Sequence, residues 1–84
     1  MVVHSKQIEY QNVFIANEIP SGIIDGINKD FILEYEPVND SLIVRLSGLV
    51  QVPGISKDYF LSGKTISFNK APKIGQEIIA NYFK

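Results

Sequence analysis

Polar and apolar residues alternate over short stretches of this chain, and no stretch of useful length repeats with a helical period. Gly, Pro, Asn and Asp interrupt the pattern every few residues. The runs between them are rich in Ile, Val, Phe, Tyr and Thr, side chains that suit a pleated, half-buried surface. The alternation predicts a strand over 31–36, with Phe31, Leu33 and Tyr35 inward and Glu34 and Glu36 in water. Pro37 lacks the N–H that a ladder needs and should end it. Leu42, Val44 and Leu46 share one face of the next strand, 42–47, with Arg45 on the other. Ser47-Gly48 then reads as a hairpin turn into 49–52, because Gly accepts the positive φ of primed turns. Pro53-Gly54 is a second turn, and strands follow at 57–61, 65–69 and 77–83. In the last strand Ile78, Ala80 and Tyr82 face one way and Ile79 and Phe83 the other, so it is either central or capped by a neighbour.

The start of the chain is less regular. Residues 1–13 form an extended arm or part of a first strand, and 14–84 form one domain. Six to seven short strands with turns about every 8–12 residues predict an all-β fold, a small antiparallel β-sandwich of Ig-like or roll type.

Composition sharpens this picture. A chain of 84 residues suits one domain, and at 45% hydrophobic it has material for a core. A domain of this size buries only roughly 60–70% of the surface its unfolded chain exposes. It has no cysteine, so neither disulfides nor a zinc–thiolate cluster can staple it. Extra stability must come from packing, oligomerisation or a host assembly. No apolar run approaches the roughly 20 residues of a membrane helix. Met1-Val2-Val3-His4-Ser5-Lys6 does not read as a secretory signal, so a cytoplasmic product, or one assembled into a particle inside the cell, is expected.

A net charge of −1 argues against a general nucleic-acid binder. The charges are unevenly spread. Residues 1–40 carry two lysines and seven carboxylates, a net −5, whereas 41–84 carry six cations and two carboxylates, a net +4. Either complementary surfaces meet between copies, or strands from both halves interleave and the difference cancels in space.

The candidates for chemistry are sparse. His4 is the only histidine, and with no cysteine it cannot lead a metal site of ordinary composition or a supported Ser-His-Asp arrangement. Glu34 and Glu36 share a predicted solvent face and read as a solvated edge, not as an acid–base pair. Asp25, Asn28 and Asp30 around Gly26 faintly resemble a calcium loop, but the later bidentate Glu is missing, and they read as turn residues. Gly63-Lys64-Thr65 echoes a phosphate loop without its glycine spacing. Most of the nine aromatic residues sit at alternating positions and read as core, whereas Phe60 and Phe83 fall off the alternation. No catalytic residue, metal or cofactor is expected.

From Asn17 to Tyr82 the turns and core positions form a pattern. It runs through Asn17-Glu18-Ile19-Pro20-Ser21-Gly22-Ile23-Ile24-Asp25-Gly26, Asn28, Phe31, Pro37-Val38, Ser41-Leu42, Leu46-Ser47-Gly48-Leu49-Val50-Gln51 and Pro53-Gly54. It continues with Asp58-Tyr59, Leu61-Ser62-Gly63, Thr65-Ile66, Phe68, Ala71-Pro72, Gly75, Ile78 and Tyr82. In this order and spacing the chain resembles a small β-sandwich module of tailed-bacteriophage virion proteins, found in tail, tail-fibre and other particle components. The resemblance covers about four-fifths of the chain and is more specific for fold than for role. Ser47-Gly48 stands where the module usually has Asn-Gly, and residues 1–16 lie outside it.

The resemblance implies a non-enzymatic virion part present in several copies, assembled in the host cytoplasm. Its partners would be other virion proteins, or further copies of itself, and not nucleic acid or membrane. Val2, Val3, Ile8, Phe60, Ile79 and Phe83 are the interface candidates, since they lie off the inferred core face or outside the module. The alternative is a receptor- or glycan-binding module, with Tyr10 beside Gln11-Asn12 as its only candidate. A small lysis or depolymerising enzyme has the least support, because no nucleophile, acid or metal set converges.

Overall fold

The computed structural model describes residues 13–84. Seven strands form two antiparallel sheets. They are β1 (Phe14–Glu18), β2 (Asp30–Ile32), β3 (Ile43–Leu46), β4 (Leu49–Val50), β5 (Tyr59–Ser62), β6 (Thr65–Phe68) and β7 (Ile78–Phe83). The first sheet has the order β1-β7-β3-β4 and the second β2-β6-β5. The fold is therefore all-β, a small sandwich, as the alternation predicts. β7 is central, between β1 and β3, yet its outward residues Ile79, Asn81 and Phe83 remain half-buried or exposed.

The inner faces are set by strand parity. Val44, Ile78, Ala80 and Tyr82 of the first sheet meet Phe31, Tyr59, Ile66 and Phe68 of the second, and Leu33 joins them. All nine are buried. Burying a large apolar side chain stabilises by roughly 1.5–3 kcal/mol, so this layer carries most of the stability. Phe31 and Phe68 meet edge to face at 5.8 Å between centroids.

The turns hold the register. Ser47 and Gly48 both have positive φ, at 49° and 88°, the pattern of a type I′ turn joining β3 to β4. Gly63, at φ 61°, opens the two-residue link between β5 and β6. Gly22, at φ 149°, backs directly onto the Phe31 ring, where a Cβ would collide.

Two elements differ from the sequence expectation. The first strand is β1, starting at Phe14, and of the arm or strand expected over 1–13 all but Val13 lies outside the described residues. The strand expected over 31–36 stops at Ile32. Leu33 donates its N–H to the Lys64 carbonyl at 2.8 Å, and the next two amides turn towards side chains of β1 and β7. Leu33 is still buried and Tyr35 half-buried, so the core positions survive the loss of the ladder.

Those two side chains make a clamp. The Tyr82 hydroxyl donates to Glu18 Oε1 and accepts the Tyr35 N–H at 3.2 Å, and Glu18 Oε2 accepts the Glu34 N–H at 2.7 Å. Burial, the bond to Glu18 and the nearby negative charge push the Tyr82 phenol up to about 12. The register of β1 against β7 slips between Ile15 and Glu18. Asn17 takes φ 54° there, and its N–H is held by Asn81 Oδ1 at 2.8 Å.

Candidate interaction surface

The outer faces of the two sheets have different characters. On the first, cross-strand pairing places Phe14 beside Phe83, Ile43 beside Asn81, and Ile79 beside Arg45, which in turn pairs with Val50. Phe14, Ile43, Val50 and Phe83 are each 40–59% exposed. The Phe14 and Phe83 rings touch, with centroids 5.0 Å apart. Apolar side chains predominate on this face, with Arg45 and Asn81 set among them. On the second sheet Asp30, Ser67 and Phe60 form one cross-strand row, and Ile32, Thr65 and Ser62 the next. The Ser67 hydroxyl donates to Asp30 Oδ1 at 2.8 Å, so that face carries its own hydrogen bonding.

The interface candidates therefore separate. Ile79 and Phe83 lie together on the apolar face of the first sheet, and Phe60 stands on the outside of the second. Val2, Val3 and Ile8 lie outside the described residues, as do His4 and Tyr10. Phe14, Ile43 and Val50 complete the face and were not singled out by the sequence. The period-2 pattern at Ile43-Val44-Arg45-Leu46 carries the signal for Ile43, which has the parity of Arg45.

A groove of about 730 Å³ opens on the flank of β5. Its walls are the 36–42 segment, the Pro53-Gly54-Ile55 turn and Tyr59, Phe60 and Leu61. The exposed carboxylates of Glu36 and Asp40 stand at its rim. Burial raises the pKa of Tyr59 at its floor. A smaller cleft of about 290 Å³ at the other end of the sandwich is edged by Lys57, Lys70 and Lys73, with Asp58 among them. The two halves of the chain pair across both sheets, β1 with β7 and β2 with β6. Strands from the acidic and the basic half of the chain thus interleave in both sheets.

The residues weighed for chemistry are engaged in turns. Asp25 Oδ1 accepts the N–H groups of Ile27 and Asn28 at 2.9 and 2.8 Å, which hold its carboxyl below the usual range. Asn28 Nδ2 donates to the Ile23 and Asp30 carbonyls. Asp25 and Asn28 thus satisfy their own loop, Asp30 is bonded to Ser67 on β6, and the three do not converge. Glu34 and Glu36 are both exposed, in a loop and not on a strand. Gly63-Lys64 is the β5–β6 hairpin turn. Among the described residues no three His, Cys, Asp or Glu side chains gather as a metal site, and no helix is long and apolar enough to cross a membrane.

Comparison with protein-family models, with curated proteins and with solved structures returns no match to this chain.

Proposed function

We propose that this protein is a non-enzymatic structural component of a tailed-bacteriophage virion, such as a tail, connector, fibre or capsid-decoration part, acting through protein–protein contacts. The observation that carries the reading is the apolar outer face of the first sheet, with Phe14, Ile43, Ile79 and Phe83 in adjacent rows. Contiguous apolar surface on a small domain marks an interaction site. A domain without disulfides gains most from covering such a face, at roughly 25 cal/mol per Å². The resemblance of 17–82 to a virion module names the setting. A particle in which many copies stand next to one another supplies the partner.

Mass spectrometry of purified virions of the encoding phage tests this. The chain should be present at several copies per particle, and its absence from them would overturn the proposal. Replacing Ile79 and Phe83 together by Ser should lower incorporation while leaving the fold intact.

A further inference from the structure

We infer that residues 2–8 fold back into the groove beside β5 of the same molecule, as a strap that covers the open edge of the second sheet. The inference concerns a single copy and is independent of the particle reading above.

The edge of β5 shows what the groove lacks. In a two-residue hairpin closed at Ser62 and Thr65, the peptide groups of Tyr59 and Leu61 point away from β6. Those of Tyr59 are used, since its N–H reaches the Val52 carbonyl and its carbonyl accepts the Gly54 N–H at 2.7 Å. Those of Leu61 have no partner among the described residues, and Leu61 lines the groove. An extended segment entering there adds to the sheet by main-chain hydrogen bonds while its alternate side chains enter the groove.

The root of the strap selects the occupant. Val13 and Val38 flank the end of β7. On one side Val13 donates to the Lys84 carbonyl at 3.4 Å and accepts the Lys84 N–H at 2.9 Å. On the other the Val38 N–H reaches the Phe83 carbonyl at 2.7 Å. The two residues therefore stand about two strand spacings, roughly 10 Å, apart. Val38 is itself a wall of the groove. Residues 9–12, when extended, span about 14 Å, enough to cross the end of β7, and residues 2–8 can then run along the groove. A segment tethered this close meets the groove at an effective concentration on the order of millimolar. A second copy, or any other soluble partner, has to compete with that.

The order of residues suits this path. Glu9-Tyr10-Gln11-Asn12, nearest the root, is largely polar and fits a crossing in water. Val2, Val3 and Ile8 are β-branched and apolar, and match walls made by Val38, Leu42 and Ile55. Residues 2–8 carry Lys6 and no carboxylate, whereas the groove rim carries Glu36 and Asp40. Glu9 stays on the crossing, outside that rim.

Amide hydrogen exchange of the full-length protein, read residue by residue by NMR, tests this. One variant changes the strap, Val3→Asp, and one the groove, Ile55→Asp. Ile55 is 82% exposed, so its replacement leaves the core untouched. In the wild type the Leu61 N–H should exchange slowly, at a rate that does not change with protein concentration. In each variant it should exchange about tenfold or more faster, because a carboxylate must be desolvated for the strap to seat. The Phe60 N–H, which faces Ser67 on β6, should exchange alike in all three proteins and so report an intact hairpin. A Leu61 N–H that exchanges as fast in the wild type as in Val3→Asp would overturn the inference. Protection of Leu61 that grows with protein concentration would also overturn it, since the groove would then hold a second copy.

Discussion

The two sheets share an inner layer but present opposite exteriors. The second sheet shows water Asp30, Ser62, Thr65 and Ser67, with Ile32 and Phe60 set among them. The first shows Phe14, Ile43, Ile79, Val50 and Phe83 around Arg45 and Asn81. Both exteriors follow the same period of two, so the contrast does not come from secondary structure. It comes from what fills the outward positions. The lesson is that one parity of a strand can fix its fold while the other is left free to vary.

The largest effect should come from between the sheets, where the two are alike. Phe31→Ala removes a fully buried ring packed on Phe68 and should cost about 3–5 kcal/mol, most of the stability of a domain this size. Urea denaturation reads it directly. Next comes a change that touches only the side of the first sheet. Tyr82→Phe deletes the hydroxyl shared by Glu18 and Tyr35 and should cost about 1–3 kcal/mol, because a hydrogen bond to a carboxylate is lost and its half-buried partners are left without it. A smaller loss would mean that the clamp is not what ties the 33–35 segment to β1 and β7.

Alkaline pH probes the same clamp by another route. An unfolded tyrosine titrates near about 10, whereas folded Tyr82 holds its proton to about 12. Between these values the unfolded chain binds fewer protons than the folded one. The Tyr82 contribution is therefore complete below about pH 10 and is lost as pH rises towards 12. The urea midpoint should fall over that window, and less steeply in the Tyr82→Phe variant. The smallest stability effects belong to the exteriors. Ile43→Ser and Ile32→Ser, at similarly exposed outward positions, should each change stability by about 1 kcal/mol or less. They should part in their effect on assembly, with the first impairing incorporation into particles and the second leaving it unchanged. Equal behaviour of the two would erase the distinction between the faces.

Much of this was legible in the chain. The parity of Leu42, Val44 and Leu46, and of Ile78, Ala80 and Tyr82, is local, and periodicity reports it faithfully. The Ser47-Gly48 turn was readable for the same reason, because its two positive φ angles are a property of the turn itself. The early end of β2 was not, since it depends on Glu18 and Tyr82, 64 residues apart, meeting the 34–35 amides. Long-range pairing also decides which strands share a sheet, and alternation carries no information about it. β3 lies beside β7 and not beside β5. The groove is assembled from three separate segments and has no sequence signature of its own. Residues 34–36 show the general case. Their side chains kept the expected exposure while their backbone left the strand, because burial follows parity and hydrogen bonding follows partners.

The slipped register of β1 has a consequence for solubility. An exposed edge strand with apolar residues is a template for fibre growth, and β1 begins with Phe14-Ile15 at the border of the apolar face. The left-handed turn of the backbone at Asn17, held by the Asn81 side chain, breaks the straight row of edge amides after Ile15. A foreign strand finds too short a run there to zip along. The asparagine pair thus shortens, among the described residues, the run of edge amides that a foreign strand could pair with.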